Sequence, residues 1–306
     1  MKQPLVSVIV PNYNHASFLT ERLDSIIGQT YQNMEIIVLD DRSTDDSLSV
    51  IKRYSDKVSQ VVVNEKNSGS PFVQWERGFS LAKGDLIWIA ESDDTCQPDF
   101  LERMVAEFEQ RPELAVAFCR SQRIDVDGNR LGEDGFDEPS VIEGRLFIKN
   151  YLSRYNYIVN ASSAVFARKL LDEVDRSYTQ FRGCGDWVFW AEVAKSGYVA
   201  YIDVPLNCFR QHGNNTTAQQ TRTGKGEQEA AEVTKYLHRK GYIGWTALLR
   251  AQVVHVYSVK YGKLSGVVSD EARREIECQW GGGLLVSVLV ALLRMMSLLG
   301  FKVINR

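Results

Sequence analysis

The sequence is poor in the features that mark secreted, membrane-spanning and nucleic-acid-binding proteins. Its 5 cysteines are far apart and form no C-x-x-C pair, which argues against a disulfide scaffold or a zinc site and predicts reduced thiols in the cytoplasm. Lys and Arg total 36 against 39 Asp and Glu, so no positive excess is present to attract nucleic acid. With 7 prolines and 44% hydrophobic residues, the 306 residues have the composition of an ordinary folded protein.

The N-terminus lacks the pattern of a signal peptide and that of a glycine-rich nucleotide fingerprint. Its apolar run, residues 5–10, ends at Pro11 and no small-residue cleavage site follows, so we predict a buried strand there. Because this strand leads into the sequence PNYN and not into glycines, a nicotinamide-dependent oxidoreductase is disfavoured.

Short β-rich runs alternate with amphipathic helices in the first third of the chain. We expect strands at 5–10, 35–39, 58–63 and 86–89, and helices at 17–27, 46–54, 72–82 and 100–109. This alternation predicts an α/β fold, with a Rossmann-like, mostly parallel sheet flanked by helices. Ligands of such sheets collect at the carboxyl ends of the strands, where polar loops follow each run.

The regular alternation ends after residue 110. Further strands are expected at 115–119, 122–126, 163–166, 199–202 and 206–210, with a helix at 187–196 and a variable excursion over 133–160. A polar linker, 219–226, then opens a mostly helical C-terminal region.

Acidic side chains follow two of the predicted strands. Asp40 and Asp41 come after the second strand, and Glu91, Asp93 and Asp94 come after the fourth. Carboxylates at neighbouring strand ends suit a divalent cation shared with a diphosphate. Solvated turns are the alternative, but two acidic loops at one sheet edge favour the metal and diphosphate interpretation.

Three segments, taken in order, resemble the motifs of one enzyme family. The first third contains PNYN, QTY and DDRSTDD, the fourth strand is followed by ESDD, and a later stretch reads GDWVFW and then RQHGNN. Over residues 4–217 this order resembles the family 2 glycosyltransferases. The resemblance implies a GT-A fold over 1–217, with a nucleotide-binding half of about 1–120, an acceptor half of about 121–217, and a helical appendage over 218–306.

The resemblance also implies residue roles in binding a nucleotide-sugar donor. The nucleoside pocket would be lined by Pro11, Tyr13 and Asn14, and Asp40 and Asp41 would contact base and ribose. Because a carboxylate accepts the N3–H of uracil or thymine, a UDP or dTDP sugar is favoured. Asp93 would bind Mg²⁺ or Mn²⁺, and Glu91 and Asp94 would support the metal or touch the donor sugar.

On the acceptor side, the resemblance makes Asp186 the general base of an inverting transfer. Trp187 would pack on the acceptor, and Arg210 and His212 would contact the phosphates. An N-cap or first-turn acid is the alternative interpretation of Asp186, and a structural loop histidine that of His212.

Two departures from the family pattern suggest a second hypothesis. Glu91 replaces the first Asp of the D-x-D motif, and Gly185 replaces the Glu that usually precedes the base. The leading hypothesis is a transferase that builds a polysaccharide or glycolipid by transfer to a glycan or lipid-linked acceptor. The alternative is a nucleotide-sugar or carbohydrate-binding module without turnover.

An apolar tail over 284–301 contrasts with the rest of the chain. It is shorter than a membrane span and is interrupted by Arg294. One interpretation is an interfacial helix with Arg294 extended toward the headgroups, which would place the protein at the cytoplasmic face of the membrane. The other is a helix packed on the catalytic domain or on a second subunit in a homo-oligomer.

Overall fold

The structure is a computed structural model that describes residues 3–136, 140–213, 220, 223–261, 268–280 and 283–298. Its strands are β1 (Val6–Asn12), β2 (Met34–Asp40), β3 (Gln60–Val63), β4 (Leu86–Ile89), β5 (Thr95–Cys96), β6 (Leu114–Ile124), β7 (Arg130–Asp134), β8 (Val141–Glu143), β9 (Ala164–Ala167) and β10 (Tyr198–Arg210). Its helices are α1 (Ala16–Ile27), α2 (Ser47–Arg53), α3 (Pro71–Leu81), α4 (Phe100–Gln110), α5 (Gly144–Phe147), α6 (Gly185–Ala194), α7 (Lys225–Arg239), α8 (Trp245–Tyr261), α9 (Asp270–Gln279) and α10 (Leu284–Leu298).

One ten-stranded sheet forms the centre of the protein, in the order β3-β2-β1-β4-β9-β6-β10-β5 with β7 and β8 at its margins. The first four strands are parallel, as expected. All seven residues of β1 are buried, which is typical of a central parallel strand covered on both faces. The α/β fold with flanking helices is therefore confirmed.

The second half of the sheet is mixed in direction. β9 pairs antiparallel with both β4 and β6, while β10 runs parallel to β6 with register shifts around Pro205. These bulges keep 199–202 and 206–210 in one bent strand, where two were expected. Likewise, 115–119 and 122–126 form the single strand β6, whose hairpin partner is β7.

The C-terminal helices pack directly against the sheet domain. α7 lies against α6, and the buried Trp280 stacks on the imidazole of His255 with ring centroids 4.3 Å apart. α10 packs on α8 through the buried Val286 and Val290. The boundary between domains at residue 217 stays a prediction, since 214–219 lie outside the described residues.

No helix within the described ranges is long and apolar enough to cross a bilayer. The outer face of α10 is nevertheless apolar and exposed, whereas the guanidinium of Arg294 lies 4.1 Å from the ring centroid of Tyr261. The end of the tail, 299–301, lies outside the described residues.

Candidate active site

The first polar loops meet at the carboxyl edge of the parallel strands. Asn12 and Asp40 are register partners of β1 and β2, and the Asn12 Nδ2 donates to Asp40 Oδ2 at 2.9 Å. The backbone N–H of Ser43 donates to the other Asp40 oxygen, also at 2.9 Å. Because its carboxylate is fully buried and accepts these two hydrogen bonds, Asp40 fixes the loop after β2.

Asp41 has four donors around its carboxylate. Asn64 Nδ2 donates at 2.5 Å, the backbone N–H and Oγ of Ser68 at 2.8 and 2.7 Å, and Gln74 Nε2 at 2.9 Å. These bonds hold the 64–70 loop against the end of β2. A direct contact of Asp41 with base or ribose stays a prediction.

The segment after β1 exposes one aromatic ring. Tyr13 is 46% exposed, whereas Pro11 is buried. Asn14 has a φ of 57°, which Asn tolerates better than most residues, and its Oδ1 accepts the N–H of Thr44 at 2.7 Å. The predicted nucleoside-pocket residues thus lie beside the loop fixed by Asp40.

The half-buried Glu91 and the buried Asp94 form a pair of acids after the end of β4. Burial, followed by repulsion from Asp93, raises the pKa of Glu91 to about 8, although Trp75 Nε1 donates to its carboxylate at 3.0 Å. The same two causes raise the pKa of Asp94 to about 7. Asp94 accepts from Asn160 Nδ2, Ser162 Oγ and the backbone N–H of Arg210.

Asp93 lies between two histidines. Its Oδ2 is 2.9 Å from His212 Nε2, and one ligand atom each from His15, Asp93 and His212 lie within 4.8 Å of one another. Burial works to raise the pKa of Asp93, but the hydrogen bond from His212 and the two imidazoles outweigh it, so this carboxyl titrates below its usual range. The group has the composition and spacing of a three-ligand metal site.

Arg210 is engaged inside the protein. Its guanidinium donates to the backbone oxygens of Asp93, Asp125 and Val126 and to Glu21 Oε2, and it lies 5.0 Å from the Phe18 ring centroid. It is 1% exposed. Its predicted phosphate contact stays a prediction, and these bonds show it bracing the loop that carries Asp93.

Asp186 sits in the first turn of α6. Its Oδ1 accepts the N–H of Trp187 and its Oδ2 accepts from Asn156 Nδ2, both at 2.8 Å. Burial raises the pKa of Asp186 to about 7 despite these two bonds. Both carboxylate oxygens keep a second lone pair for a hydroxyl.

Trp187 is buried and does not offer its ring to a ligand. The indole is 4% exposed, and its Nε1 donates to the backbone oxygen of Leu152 at 2.8 Å. The packing of Trp187 on the acceptor stays a prediction, and the burial of the side chain does not support it. The structure gives the indole a different position, under the segment that carries Asn156.

A pocket rich in aromatic side chains adjoins Asp186 through Asn156. Asn156 Oδ1 is buried and accepts no hydrogen bond from any residue that the structure describes, although its Nδ2 donates to Asp186. The lining residues are Phe118, Cys119, Asp134, Gly135, Phe136, Tyr155, Asn156, Tyr157, Val159 and Tyr201. An unused acceptor beside aromatic rings suits a molecule that has both hydroxyl groups and an apolar face.

The comparison with known proteins decides the family. A sequence model described as Glycosyl transferase family 2 matches residues 7–174, more than half of the chain. The chain belongs to glycosyltransferase family 2. An uncharacterized glycosyltransferase of Haemophilus influenzae is 29% identical over 78% of this chain and 76% of its own length. A chondroitin synthase of Pasteurella multocida is 27% identical over 72% of this chain but only 22% of its own length.

Solved structures support the GT-A fold of this family 2 glycosyltransferase. TarS of S. aureus in complex with UDP-GlcNAc has a TM-score of 0.68 at 18% identity, covering 93% of this chain and 83% of that one. The mannosyltransferase PcManGT of Pyrobaculum calidifontis, in complex with GDP-Man and Mn²⁺, has a TM-score of 0.60 at 17% identity, covering 99% and 82%. At these identities the likeness is one of fold.

Three residues of the candidate site were not predicted from the sequence. His15 directly follows PNYN, so its position after β1 was a usable signal. Asn156 falls in the excursion 133–160. Glu229, whose carboxylate accepts the backbone N–H groups of residues 182–184, falls in the C-terminal region. Neither of these two has a local motif, since only the tertiary fold brings it to Asp186.

Proposed function

We propose that this glycosyltransferase moves a sugar from a nucleoside-diphosphate donor to a hydroxyl of a glycan or lipid-linked acceptor, with inversion. Asp186 acts as the base, and a divalent metal is held at Asp93. The observation behind the proposal is that three side chains able to hold a metal lie together at the sheet edge, while the half-buried carboxyl of Asp186 has a pKa raised to about 7. Both features suit displacement of a diphosphate by a hydroxyl at neutral pH.

The residues of the metal cluster fit a divalent ion. Ligand atoms of His15, Asp93 and His212 that lie within 4.8 Å of one another can contact one ion together. Imidazole nitrogens suit transition metals, whereas Mg²⁺ prefers oxygen ligands, so we expect Mn²⁺ to bind better than Mg²⁺. When bound, the ion neutralises the charge that develops on the leaving diphosphate.

The donor nucleotide is proposed to lie over the loops fixed by Asp40 and Asp41. Tyr13 supplies an exposed ring for the base, and the 64–70 loop, held by Asp41, closes the other side. TarS was solved with UDP-GlcNAc and PcManGT with GDP-Man. We propose a UDP or dTDP sugar for this chain, because a carboxylate such as that of Asp40 or Asp41 accepts the N3–H of uracil or thymine.

Asp186 completes the transfer on the acceptor side. Its carboxylate takes the hydroxyl proton while the oxygen attacks the anomeric carbon and the diphosphate leaves from the opposite side. The two hydrogen bonds from Asn156 and Trp187 fix the direction of the carboxylate, and a pKa of about 7 makes it a base at neutral pH. We propose that the acceptor sugar lies in the pocket beside Asn156, whose Nδ2 holds the Asp186 carboxylate.

The exposed face of α10 is proposed to rest on a lipid surface. Six of its apolar residues are more than 40% exposed: Leu284, Leu285, Val288, Leu292, Met295 and Met296. This stripe lies opposite the face that packs on α8, which is the arrangement of a helix in the plane of a bilayer surface. Contact at the cytoplasmic face would bring the enzyme close to a lipid-linked acceptor.

A melting-shift screen tests the donor and the metal together. The protein is heated with UDP-GlcNAc, UDP-glucose, dTDP-glucose or GDP-mannose, each with Mn²⁺, with Mg²⁺ or with EDTA. We expect the uridine or thymidine sugars to raise Tm most, and only with metal. Release of nucleoside diphosphate from the best donor then reports turnover; binding without any turnover would favour the binding-module alternative.

A further inference from the structure

A carboxylate from the C-terminal region binds the segment that leads into the helix of Asp186. Glu229 of α7 accepts the backbone N–H of Arg182 at 2.9 Å and those of Gly183 and Cys184 at 2.8 Å. Three charge-assisted bonds to consecutive N–H groups fix a short backbone segment firmly. The segment ends one residue before α6 begins.

The N-cap position of α6 does not hold the first turn through its own side chain. Its N-cap residue, Cys184, makes no side-chain cap hydrogen bond, so Glu229 supplies negative charge next to the first turn from another element. There is no room for a side chain at Gly185, because its Cβ would lie 2.4 Å from the backbone oxygen of Tyr178 and 2.5 Å from a ring carbon of Phe72. A side chain at 185 is therefore excluded, and the acid near Asp186 comes from α7.

The C-terminal region also holds the segment on the far side of Asp186. The Nε2 of His255 in α8 is 3.2 Å from the backbone oxygen of Arg154, two residues before Asn156. The other ring nitrogen is 2.6 Å from Glu227 Oε2, and Trp280 stacks on the ring. α7 thus binds the segment just before the helix that carries Asp186, and α8 binds the segment that carries Asn156.

We propose that Glu229 is a positioning residue for Asp186 and that the C-terminal helices form part of the active site. The proposal rests on the proposed function of Asp186 as the base. By holding residues 182–184, Glu229 fixes the first turn of α6 and the direction of the Asp186 carboxylate. Misplacing a base by about 1 Å can lower a rate roughly 10²-fold.

The negative charge of Glu229 also affects the pKa of Asp186, so its role can be tested through that pKa. Among the described residues, the Glu229 carboxylate has the largest charge effect on the pKa of Asp186, and the Cys184 thiol also interacts with Asp186. Burial and nearby acids raise the pKa of the Cys184 thiol, so the thiol is neutral and the larger charge effect comes from Glu229. Repulsion by Glu229 adds to the burial that raises the pKa of Asp186, so removing this charge should move that pKa down.

Two substitutions and one matched control test the proposal in the full-length protein. Glu229→Ala removes the three bonds, Glu229→Gln keeps an acceptor oxygen without the charge, and Glu232→Gln changes another partly buried acid one turn further along α7. We expect Glu229→Ala to accelerate amide hydrogen exchange at 182–184 and to lower kcat about 10²-fold, with the Tm shift by UDP and Mn²⁺ retained. Glu229→Gln should keep more activity and move the acidic limb of the kcat–pH profile to lower pH.

Glu232→Gln should match the wild type in exchange at 182–184 and in kcat. The proposal is overturned if Glu229→Ala leaves kcat unchanged, or if Glu229→Gln leaves the acidic limb in place. Failure of the proposed function is distinguishable, because Asp186→Asn would then turn over donor like the wild type while the exchange at 182–184 still reported the Glu229 contact.

Discussion

The imidazole Nε2 of His212 lies 2.9 Å from Asp93 Oδ2, although 119 residues separate the two in the chain. This contact joins the loop after β4 to the end of β10 and places a second nitrogen ligand, from His15, close by. If the three side chains bind one metal, His212→Ala should weaken Mn²⁺ binding at least about tenfold and lower kcat in step, since a ligand is lost. Turnover measured against Mn²⁺ concentration gives the apparent Kd.

His238→Ala is the control for that substitution. This imidazole, in α7, lies 3.1 Å from the backbone oxygen of Ile243 and is not part of the cluster. His238→Ala should leave the dependence of turnover on Mn²⁺ concentration unchanged. An unaltered apparent Kd for Mn²⁺ in His212→Ala would remove His212 from the metal site.

Asp41 should control nucleotide affinity through the 64–70 loop. In Asp41→Asn, an amide NH₂ would face donors from Asn64, Ser68 and Gln74, so the loop would lose charge-assisted bonds. We expect the Kd for UDP to rise about tenfold, corresponding to roughly 1.4 kcal/mol, as measured by calorimetry. Asp46→Asn, an exposed acid nearby, should bind UDP normally; equal affinities in the two variants would rule out this role of Asp41.

Gly185 should not tolerate a side chain. Because the added Cβ would lie 2.4 Å from the Tyr178 backbone oxygen, Gly185→Ala must shift α6 or the segment before it, at a cost of about 1–3 kcal/mol. Urea denaturation measures the free energy of unfolding. Gly244→Ala, where no atom lies within 4 Å of the new Cβ, should cost less than about 1 kcal/mol, and a similar loss in both variants would contradict the packing argument.

The apolar face of α10 should set binding to vesicles. Leu292 and Met295 are 46% and 54% exposed, so Leu292→Glu with Met295→Glu should leave Tm nearly unchanged. Sedimentation with vesicles of anionic phospholipid should fall at least about tenfold, since each buried apolar side chain contributes roughly 1.5–3 kcal/mol. Ser297→Glu adds charge without removing apolar surface and is the control; unchanged sedimentation of the double variant would exclude this face as the contact.

The first half of the fold follows closely from local sequence pattern. The structure places β1, β2, β4 and α1 within one or two residues of their expected bounds, because burial on both faces and helical spacing are written locally in those segments. Strands β6 and β10 were each expected as two pieces. Their continuity comes from pairing with each other over a long register, which no local pattern encodes.

The candidate site follows from sequence only in part. The acids at 40–41 and 91–94 were found because they follow strands, and the family resemblance identified Asp186. The guanidinium of Arg210 was expected at the phosphates, whereas its bonds run to backbone oxygens around Asp93. Contacts such as Glu229 with 182–184 join distant segments and depend on how the C-terminal helices pack.

The pH dependence of kcat follows from the environment of Asp186. A base must be deprotonated to act, and burial raises the pKa of this carboxyl to about 7. We therefore expect kcat to rise with pH through about 7 and to fall as the pH drops below it. A kcat that stays constant from pH 5 to pH 8, roughly the range in which such a base changes charge, would contradict a titrating Asp186.

The most direct test of the account compares wild type with Asp186→Asn at saturating donor. The amide has nearly the shape of the carboxylate but cannot take a proton. We expect release of nucleoside diphosphate in the presence of acceptor to fall about 10²–10⁴-fold in Asp186→Asn, with the Tm shift produced by UDP and Mn²⁺ retained. Wild-type turnover by Asp186→Asn would show that Asp186 is not the base.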